Sequence, residues 1–108
     1  MSWQGIEGAW PALSLREKVG QMIVAGWPAT DVTPELRMLI ERYRIGGLSL
    51  LPRNLVDAEQ AAALTHELQQ LAAAAHHPAP LWLAADQEGG PILAVRDGLT
   101  PFPGNMAL

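Results

Sequence analysis

Two carboxylates stand two residues apart beside a pair of glycines in the stretch LWLAADQEGG. Asp86 and Glu88 follow the apolar run Leu81–Ala85 and precede Gly89 and Gly90. Residues two apart in an extended segment point to the same face, and the carboxyl groups of a retaining glycosidase lie about 5–5.5 Å apart. The pair could therefore supply a nucleophile and an acid. Alternatively, one carboxylate accepts backbone N–H groups near the glycines and only closes a turn.

A second polar pair, Arg53-Asn54, follows the apolar run LSLL. Its side chains could hydrogen-bond a polar ligand or the carbonyl groups of their own loop. Asparagine after a strand often forms an Asx-turn, so the sequence favours the second role.

The remaining candidates favour packing or solvent exposure over ligand binding. His66 belongs near the solvent side of a long helix, and the adjacent His76 and His77 point to different faces at its end, so we predict no metal site. A glycine pair beside two acids repels a phosphate, and we predict no cofactor. The tryptophans suit packing, although the loop position of Trp27 also allows a sugar platform. They are Trp3, Trp10, Trp27 and Trp82.

The elements that must position these side chains begin at recognisable helix caps. Ser14 with Glu17 predicts a capping box that opens a short helix through Val19. Thr33 followed by proline starts a second helix, and Asp57 with Gln60 starts a long third helix. Arg37 and Glu41 are expected to pair on the outer face of the second helix. The predicted apolar stripes are Leu36, Leu39, Ile40 and Tyr43 in the second helix, and Ala61, Leu64, Leu68, Leu71 and Ala75 in the third.

Three apolar runs between these helices predict strands, at Gln21–Trp27, Leu48–Leu51 and Leu81–Ala85. Gly46-Gly47 is expected to end the second helix. Continuous apolar strands are typical of a parallel sheet buried on both faces, so the fold class is α/β. The polar strand ends should meet at one edge of the sheet.

The order β-α-β-α-β predicts the first three strand–helix units of a (β/α)₈ TIM-type barrel, preceded by an extension over residues 1–12. A complete barrel needs about 250 residues, whereas this chain has 108, so we expect residues 1–108 to be part of a truncated barrel domain. A small flavodoxin-like domain is the alternative. Side-by-side strands in chain order would favour the barrel, and the order 2-1-3 would favour the doubly wound sheet.

Composition excludes several classes of protein. The net charge is −4 without a basic cluster, so we expect no nucleic-acid partner. The chain has no cysteine and therefore no disulfide or thiolate chemistry. It also shows neither a signal-peptide pattern nor an apolar run near the roughly 20 residues that span a bilayer. We expect a cytoplasmic protein that does not bind membranes.

Four segments of the chain, in order, resemble a known family. They are LSLREKVGQMIVAGW, TPELRMLIERYRIGGLSLLPRN, LAADQEGGPI and LTPFPGNMAL. They are similar to the N-terminal catalytic domain of glycoside hydrolase family 3, and most closely to its bacterial β-N-acetylhexosaminidase branch. The resemblance runs from about Leu13 to Leu108.

The resemblance implies a barrel enzyme that hydrolyses terminal β-N-acetylglucosaminides with retention of configuration, with peptidoglycan fragments as substrates. The nucleophilic aspartate and the acid/base histidine of the family would lie beyond Leu108, so no catalytic residue is assigned. The chain alone should be inactive and should need the C-terminal part of its own barrel.

The resemblance also implies roles for the polar strand ends. It assigns to Asp86 the binding of sugar hydroxyl groups in place of attack or protonation. The supporting loop residues would be Glu88, Gly89, Gly90, Arg53 and Asn54.

One position departs from the family pattern, which continues D-Q-E-G-G-R-V. Here the arginine position is Pro91, and proline removes both a cation and a backbone donor. If that arginine anchors the loop, Asp86 is held less firmly in this chain. A β-glucosidase-type member of the family and a non-catalytic sugar-binding module are the alternative functions.

Overall fold

The computed structural model of the chain describes residues 10–107. Residues 1–9 and Leu108 lie outside this range, so Trp3 and most of the predicted extension are not described. The helices and strands are α1 (Leu15–Gln21), β1 (Val24–Ala25), α2 (Pro34–Glu41), β2 (Gly47–Leu50), α3 (Ala58–Ala74), β3 (Trp82–Ala85), β4 (Gln87–Gly89) and β5 (Ile92–Leu93). Short 3₁₀ turns cover Trp10–Ala12, Pro52–Asn54 and Asn105–Ala107.

Strands β1, β2 and β3 form one parallel sheet in that order. Gly47 of β2 is in register with Val24 on one side and with Trp82 on the other. This is the order of consecutive barrel strands and not the 2-1-3 order of a doubly wound sheet. The predicted α/β class with parallel strands in barrel order is confirmed.

The three predicted helix starts are confirmed. The Ser14 hydroxyl accepts the N–H of Glu17 at 3.3 Å, and the Glu17 carboxylate accepts the Ser14 N–H at 2.9 Å. Hydrogen bonds from the Ser14 side chain and then its backbone lower the pKa of Glu17. Thr33 caps α2, and Asp57 accepts the N–H of Gln60 at 2.7 Å. These caps form because each joins groups only three residues apart.

The core lies between one face of the sheet and the helices α2 and α3. In α3, Leu64, Leu68 and Leu71 are buried as predicted, whereas Ala61 and Ala75, the residue after the helix, are only half-buried. No helix among the described residues is long and apolar enough to cross a membrane. The buried apolar side chains of this core are Trp27, Leu36, Ile40, Ile45, Leu48, Leu50, Leu64, Leu68, Leu71, Ala72 and Leu81.

The second helix follows its predicted pattern only over its own length. Leu36 and Ile40 are buried, and Arg37 and Glu41 pair at 3.2 Å on the outer face as expected. Tyr43 was predicted to continue the apolar stripe, but it lies beyond the end of α2 and is exposed. Helical spacing therefore stops predicting burial where the helix ends.

The prediction that all three strands are buried on both faces is wrong. Leu48 and Leu50 are buried in the core, but Val24 is 57% exposed and Trp82 is 71% exposed. The first strand is also shorter than predicted, because Gln21 belongs to α1. Within residues 10–107, no layer covers these exposed strand side chains.

The glycine pair does not end α2 as predicted. The helix ends at Glu41, and the chain reverses at Arg44, whose φ is 54°. The carbonyl of Arg44 accepts the Gln21 side-chain amide, and its guanidinium donates to the His76 carbonyl at 2.8 Å. Gly46 is needed where backbones meet, because a Cβ there would overlap the carbonyl oxygen of Gln21.

His77 connects the end of α3 to the end of α2. Its Nε2 lies 2.8 Å from the carbonyl oxygen of Ile40, so the neutral tautomer with hydrogen on Nε2 donates this bond. Its Nδ1 is buried and has no hydrogen-bond partner in the described part of the chain. Burial lowers the pKa of His77, and the charge of Arg44 lowers it further, while the bond to Ile40 acts in the opposite direction.

We expect this histidine to make the protein less stable in acid. Its ordinary pKa is 6.5 and its folded-state pKa is lower. Below pH 6.5 the unfolded chain therefore binds more protons than the folded chain. The stability that His77 contributes is fully present above that pH and is lost as the pH falls through the folded-state pKa. Thermal melting between about pH 8 and about pH 5 measures the loss.

His77→Gln keeps a donor for the Ile40 carbonyl and removes the titrating group, so its melting temperature should vary less with pH. His66→Gln is the matched control, because His66 is exposed on α3. An unchanged pH dependence in His77→Gln would contradict the assignment.

Candidate functional site

The carboxyl ends of the three parallel strands lie at the same edge of the sheet, as predicted from the order of the elements. The loops that follow β1 and β2 contact each other there. The Arg53 Nε donates to the carbonyl oxygen of Trp27 at 3.4 Å, and the Asn54 side-chain amide donates to the same oxygen at 2.9 Å. These two loops therefore form one connected part of the edge.

Asp86 follows β3 directly, and its side chain is exposed. It lines a cavity of about 210 Å³ together with Leu51 and Pro52 from the loop after β2. Its main-chain carbonyl accepts the N–H of Ala94 at 3.0 Å, which ties the end of β3 to the residue after β5. A carboxylate at this position can accept hydrogen bonds from a ligand in the cavity.

Glu88 lines a different cavity, of about 440 Å³, together with Thr100 and Phe102. The structure therefore does not bring Asp86 and Glu88 together around one cavity as an acid–nucleophile pair. Glu88 lies at the irregular register between Gln87 and Gly89, in the antiparallel hairpin that β4 and β5 form. Such a bulge redirects the side chains of a strand, so the two-residue alternation does not hold there.

Gly89 and Gly90 lie at the turn of this hairpin, with φ values of 92° and 58°. These left-handed values favour glycine. A Cβ at Gly89 would lie 2.6 Å from the carbonyl oxygen of Pro103, and the Gly90 N–H donates to the Phe102 carbonyl at 2.9 Å. The turn therefore packs closely against the TPFPG segment.

Gln87 is a structural residue of the site that sequence reasoning missed. Its Oε1 accepts the N–H groups of Ala94 and Val95, both at 2.9 Å, and its Nε2 donates to the Val95 carbonyl at 2.9 Å. The side chain thereby fastens the hairpin beside Asp86. A glutamine side chain offers both a donor and an acceptor to neighbouring backbone groups. Its place between the two acids is the sequence signal that could have indicated that it fastens the hairpin.

Asn54 is fully buried, and its side chain makes three hydrogen bonds to backbone groups. Its Oδ1 accepts the Leu51 N–H at 2.9 Å, and its Nδ2 donates to the carbonyls of Trp27 and Ala29 at 2.9 and 2.7 Å. These bonds leave no donor of Asn54 for a ligand. The side chain of Arg53 is exposed beside it.

The tryptophans divide into a buried one and exposed ones. Trp27 is 4% exposed, and its indole N–H donates to the Asp31 carbonyl at 3.0 Å, so it packs in the core and is not a sugar platform. Trp10 and Trp82 were expected to pack as well, but both are exposed. Trp82 lies at the amino end of β3, away from the polar strand ends.

The histidines lie apart from the edge that carries Asp86. His66 and His76 are exposed on α3 and just after it, and His77 is engaged with Ile40. Residues 10–107 contain no group of three or more histidine, aspartate or glutamate residues arranged to hold a metal ion. Pro91, in contrast, is exposed and lines the Asp86 cavity directly.

Comparison with known proteins gives consistent matches along this chain. The model of the glycosyl hydrolase family 3 N-terminal domain matches residues 14–108. A β-hexosaminidase A of Pseudoalteromonas piscicida is 41% identical over 80 residues, which are 73% of this chain and 13% of that protein. The chain thus spans about an eighth of the length of this relative.

Solved structures give the same result. A glycoside hydrolase family 3 β-N-acetylglucosaminidase from Paenibacillus sp. str. FPU-7 has a TM-score of 0.83 and 41% identity, covering 88% of this chain and 18% of that one. NagZ from Neisseria gonorrhoeae, solved with N-trifluoroacetyl-D-glucosamine, has a TM-score of 0.64 and 31% identity, covering 75% of this chain and 22% of that one.

Proposed function

Because the chain belongs to the glycosyl hydrolase family 3 N-terminal domain family, we propose that it forms the sugar-binding strand ends of a retaining β-N-acetylglucosaminidase. The names of its relatives favour this activity over that of a β-glucosidase-type member. The chain covers only a small share of those relatives, so the activity of the whole enzyme belongs to the proposal.

The observation that carries the proposal is the position of Asp86 at the carboxyl end of β3, lining a cavity with the loop after β2. Its carboxylate would accept hydrogen bonds from two sugar hydroxyl groups and so fix the position and orientation of the ring. Charged hydrogen bonds of this kind contribute about 1.5–3 kcal/mol each. Glu88 would support the turn and would not act as a nucleophile or acid.

The remaining roles follow from the family resemblance. Gly89, Gly90, Arg53 and Asn54 would hold the loops around Asp86, and no residue of this chain would be the nucleophile or the acid/base. Those groups would come from later strands and loops of the barrel, which would be the partner of this sheet. We further propose a cytoplasmic setting and N-acetylglucosaminides from peptidoglycan fragments as substrates.

Sugar binding tests this function. We expect N-acetylglucosamine to shift the backbone NMR signals of Asp86 and Ala94 in the isotope-labelled chain. Asp86→Asn should weaken binding at least about tenfold, because it removes a charged acceptor. Glu67→Gln is the control, since Glu67 is exposed on α3 and does not line the cavity. In the same samples, a chromogenic β-N-acetylglucosaminide should not be hydrolysed.

Two outcomes would contradict the proposal. If the chain binds no sugar at the highest soluble ligand concentration, its proposed role in sugar binding is wrong. Hydrolysis that Asp86→Ala abolishes would show that the chain carries its own catalytic groups.

A further inference from the structure

Arg96 lines the same cavity as Asp86 and Pro91. Its side chain is exposed, and the cavity otherwise has apolar walls that include Leu51 and Leu93. Asp86 and Arg96 form no ion pair with each other among the described residues. The cavity therefore offers a ligand both the acceptor group of Asp86 and the donor group of Arg96, because the two are not paired with each other. Aliphatic side chains lie beside them.

Arg96 differs from the other arginines of the chain in its lack of a partner. Within residues 10–107 its guanidinium has no hydrogen bond, ion pair or aromatic contact. The other arginines contact protein groups: Arg16 and Arg42 the ring of Tyr43, Arg37 the Glu41 carboxylate, Arg44 the His76 carbonyl and Arg53 the Trp27 carbonyl. The donors of Arg96 can thus bind a ligand in the cavity.

The chemistry of the cavity distinguishes between sugars. A hydroxyl group can donate to the carboxylate of Asp86, and every hexose carries several. The carbonyl oxygen of an acetamido group is an acceptor only, so it needs a donor such as a guanidinium. Its methyl group suits the aliphatic wall that Leu51 and Leu93 provide.

We propose that Arg96 is the residue that selects an acetamido sugar in the Asp86 cavity, by donating hydrogen bonds to the acetamido carbonyl oxygen. This inference rests on the proposed function, because it places the same sugar against Asp86. Asp86 binds the hydroxyl groups that all hexoses share, and Arg96 binds the substituent that distinguishes N-acetylglucosamine from glucose.

Parallel NMR titrations with N-acetylglucosamine and glucose test the assignment. We expect the unchanged chain to prefer N-acetylglucosamine by about tenfold, the value of one charged hydrogen bond. Arg96→Ala should bind both sugars with similar affinity, and Arg96→Lys should keep part of the preference. The side-chain Nε–H signal of Arg96 should shift with N-acetylglucosamine and not with glucose. Arg42→Ala is the control and should keep the full preference, because Arg42 lies at the end of α2 beside Tyr43.

The outcomes separate this inference from the function on which it rests. Unchanged preference in Arg96→Ala, with binding intact, would overturn the role of Arg96 and leave the sugar-binding function standing. If Asp86→Asn loses binding of both sugars and Arg96→Ala loses only the preference for N-acetylglucosamine, both the proposed function and the role of Arg96 are supported. Failure of the unchanged chain to bind either sugar would overturn the proposed function and this inference with it.

Discussion

Asn54→Ala is expected to lower the free energy of unfolding by about 4 kcal/mol, because three backbone groups lose the buried amide that binds them, and only the Trp27 carbonyl keeps a second donor, Arg53. The groups are the Leu51 N–H and the carbonyls of Trp27 and Ala29. Asn54 itself is 0% exposed, so water cannot replace the lost amide without a rearrangement of the loops. Urea unfolding followed by tryptophan fluorescence measures the effect. Trp27 is a suitable probe because it is buried and its carbonyl accepts a hydrogen bond from the Asn54 side chain.

Asn54→Asp separates loss of volume from loss of hydrogen bonding. The carboxylate can still accept the Leu51 N–H, but it cannot donate to the carbonyls of Trp27 and Ala29. We expect it to be strongly destabilising as well. Asn105→Ala is the matched control, because Asn105 is exposed and its change should stay within about 0.5 kcal/mol. Equal stability of Asn54→Ala and Asn105→Ala would show that the loop does not depend on this amide.

Gly47→Ala is expected to destabilise the sheet by about 3 kcal/mol, since the added methyl group has no space. Its Cβ would lie 2.6 Å from the carbonyl oxygen of Trp82 and 2.8 Å from the Trp82 Cβ. Strands β2 and β3 would have to separate at the point where Gly47 and Trp82 are in register. Urea unfolding gives the energy, and faster hydrogen exchange of the Trp82 amide, which donates to the Gly46 carbonyl, locates the separation.

Gly26→Ala is the control for this substitution. The nearest atom to its Cβ would be a terminal nitrogen of Arg53 at 3.9 Å, so there is space for the methyl group. Removing a glycine where alanine fits also restricts the unfolded chain and stabilises the fold by about 0.5 kcal/mol. A loss of stability in Gly26→Ala as large as that in Gly47→Ala would mean that contact with Trp82 is not the cause.

Local chemistry explains which parts of the fold could be predicted from the sequence. The caps at Ser14, Thr33 and Asp57 each depend on groups three residues apart, so the residue types are sufficient. The alternation of helices and apolar strands similarly predicts a parallel sheet. The reversal at Arg44 could not be predicted, because it is accompanied by contacts with Gln21 and His76, which are distant in sequence.

The site was less predictable because it depends on non-local packing. The position of Asp86 at a strand end follows from the apolar run before it, whereas the hairpin after it does not. The register of this hairpin is irregular at Glu88, and Asp86 and Glu88 line different cavities. The side chain of Gln87 closes the hairpin by a hydrogen bond to Val95, beyond β5. The exposure of Trp82 also depends on what covers the sheet and not on its own hydrophobicity.

The hydrogen bonds of Gln87 have a consequence for how this site can change during evolution. They join Gln87 to Ala94 and Val95 at the base of the hairpin, while Gly90 and Pro91 lie at its tip. Because Asp86 adjoins the base, substitutions at position 91, which lines the cavity, can reshape the cavity wall without displacing the carboxylate. Relatives that keep the glutamine should therefore tolerate different residues at position 91 on a constant base, and the proline of this chain is one such residue.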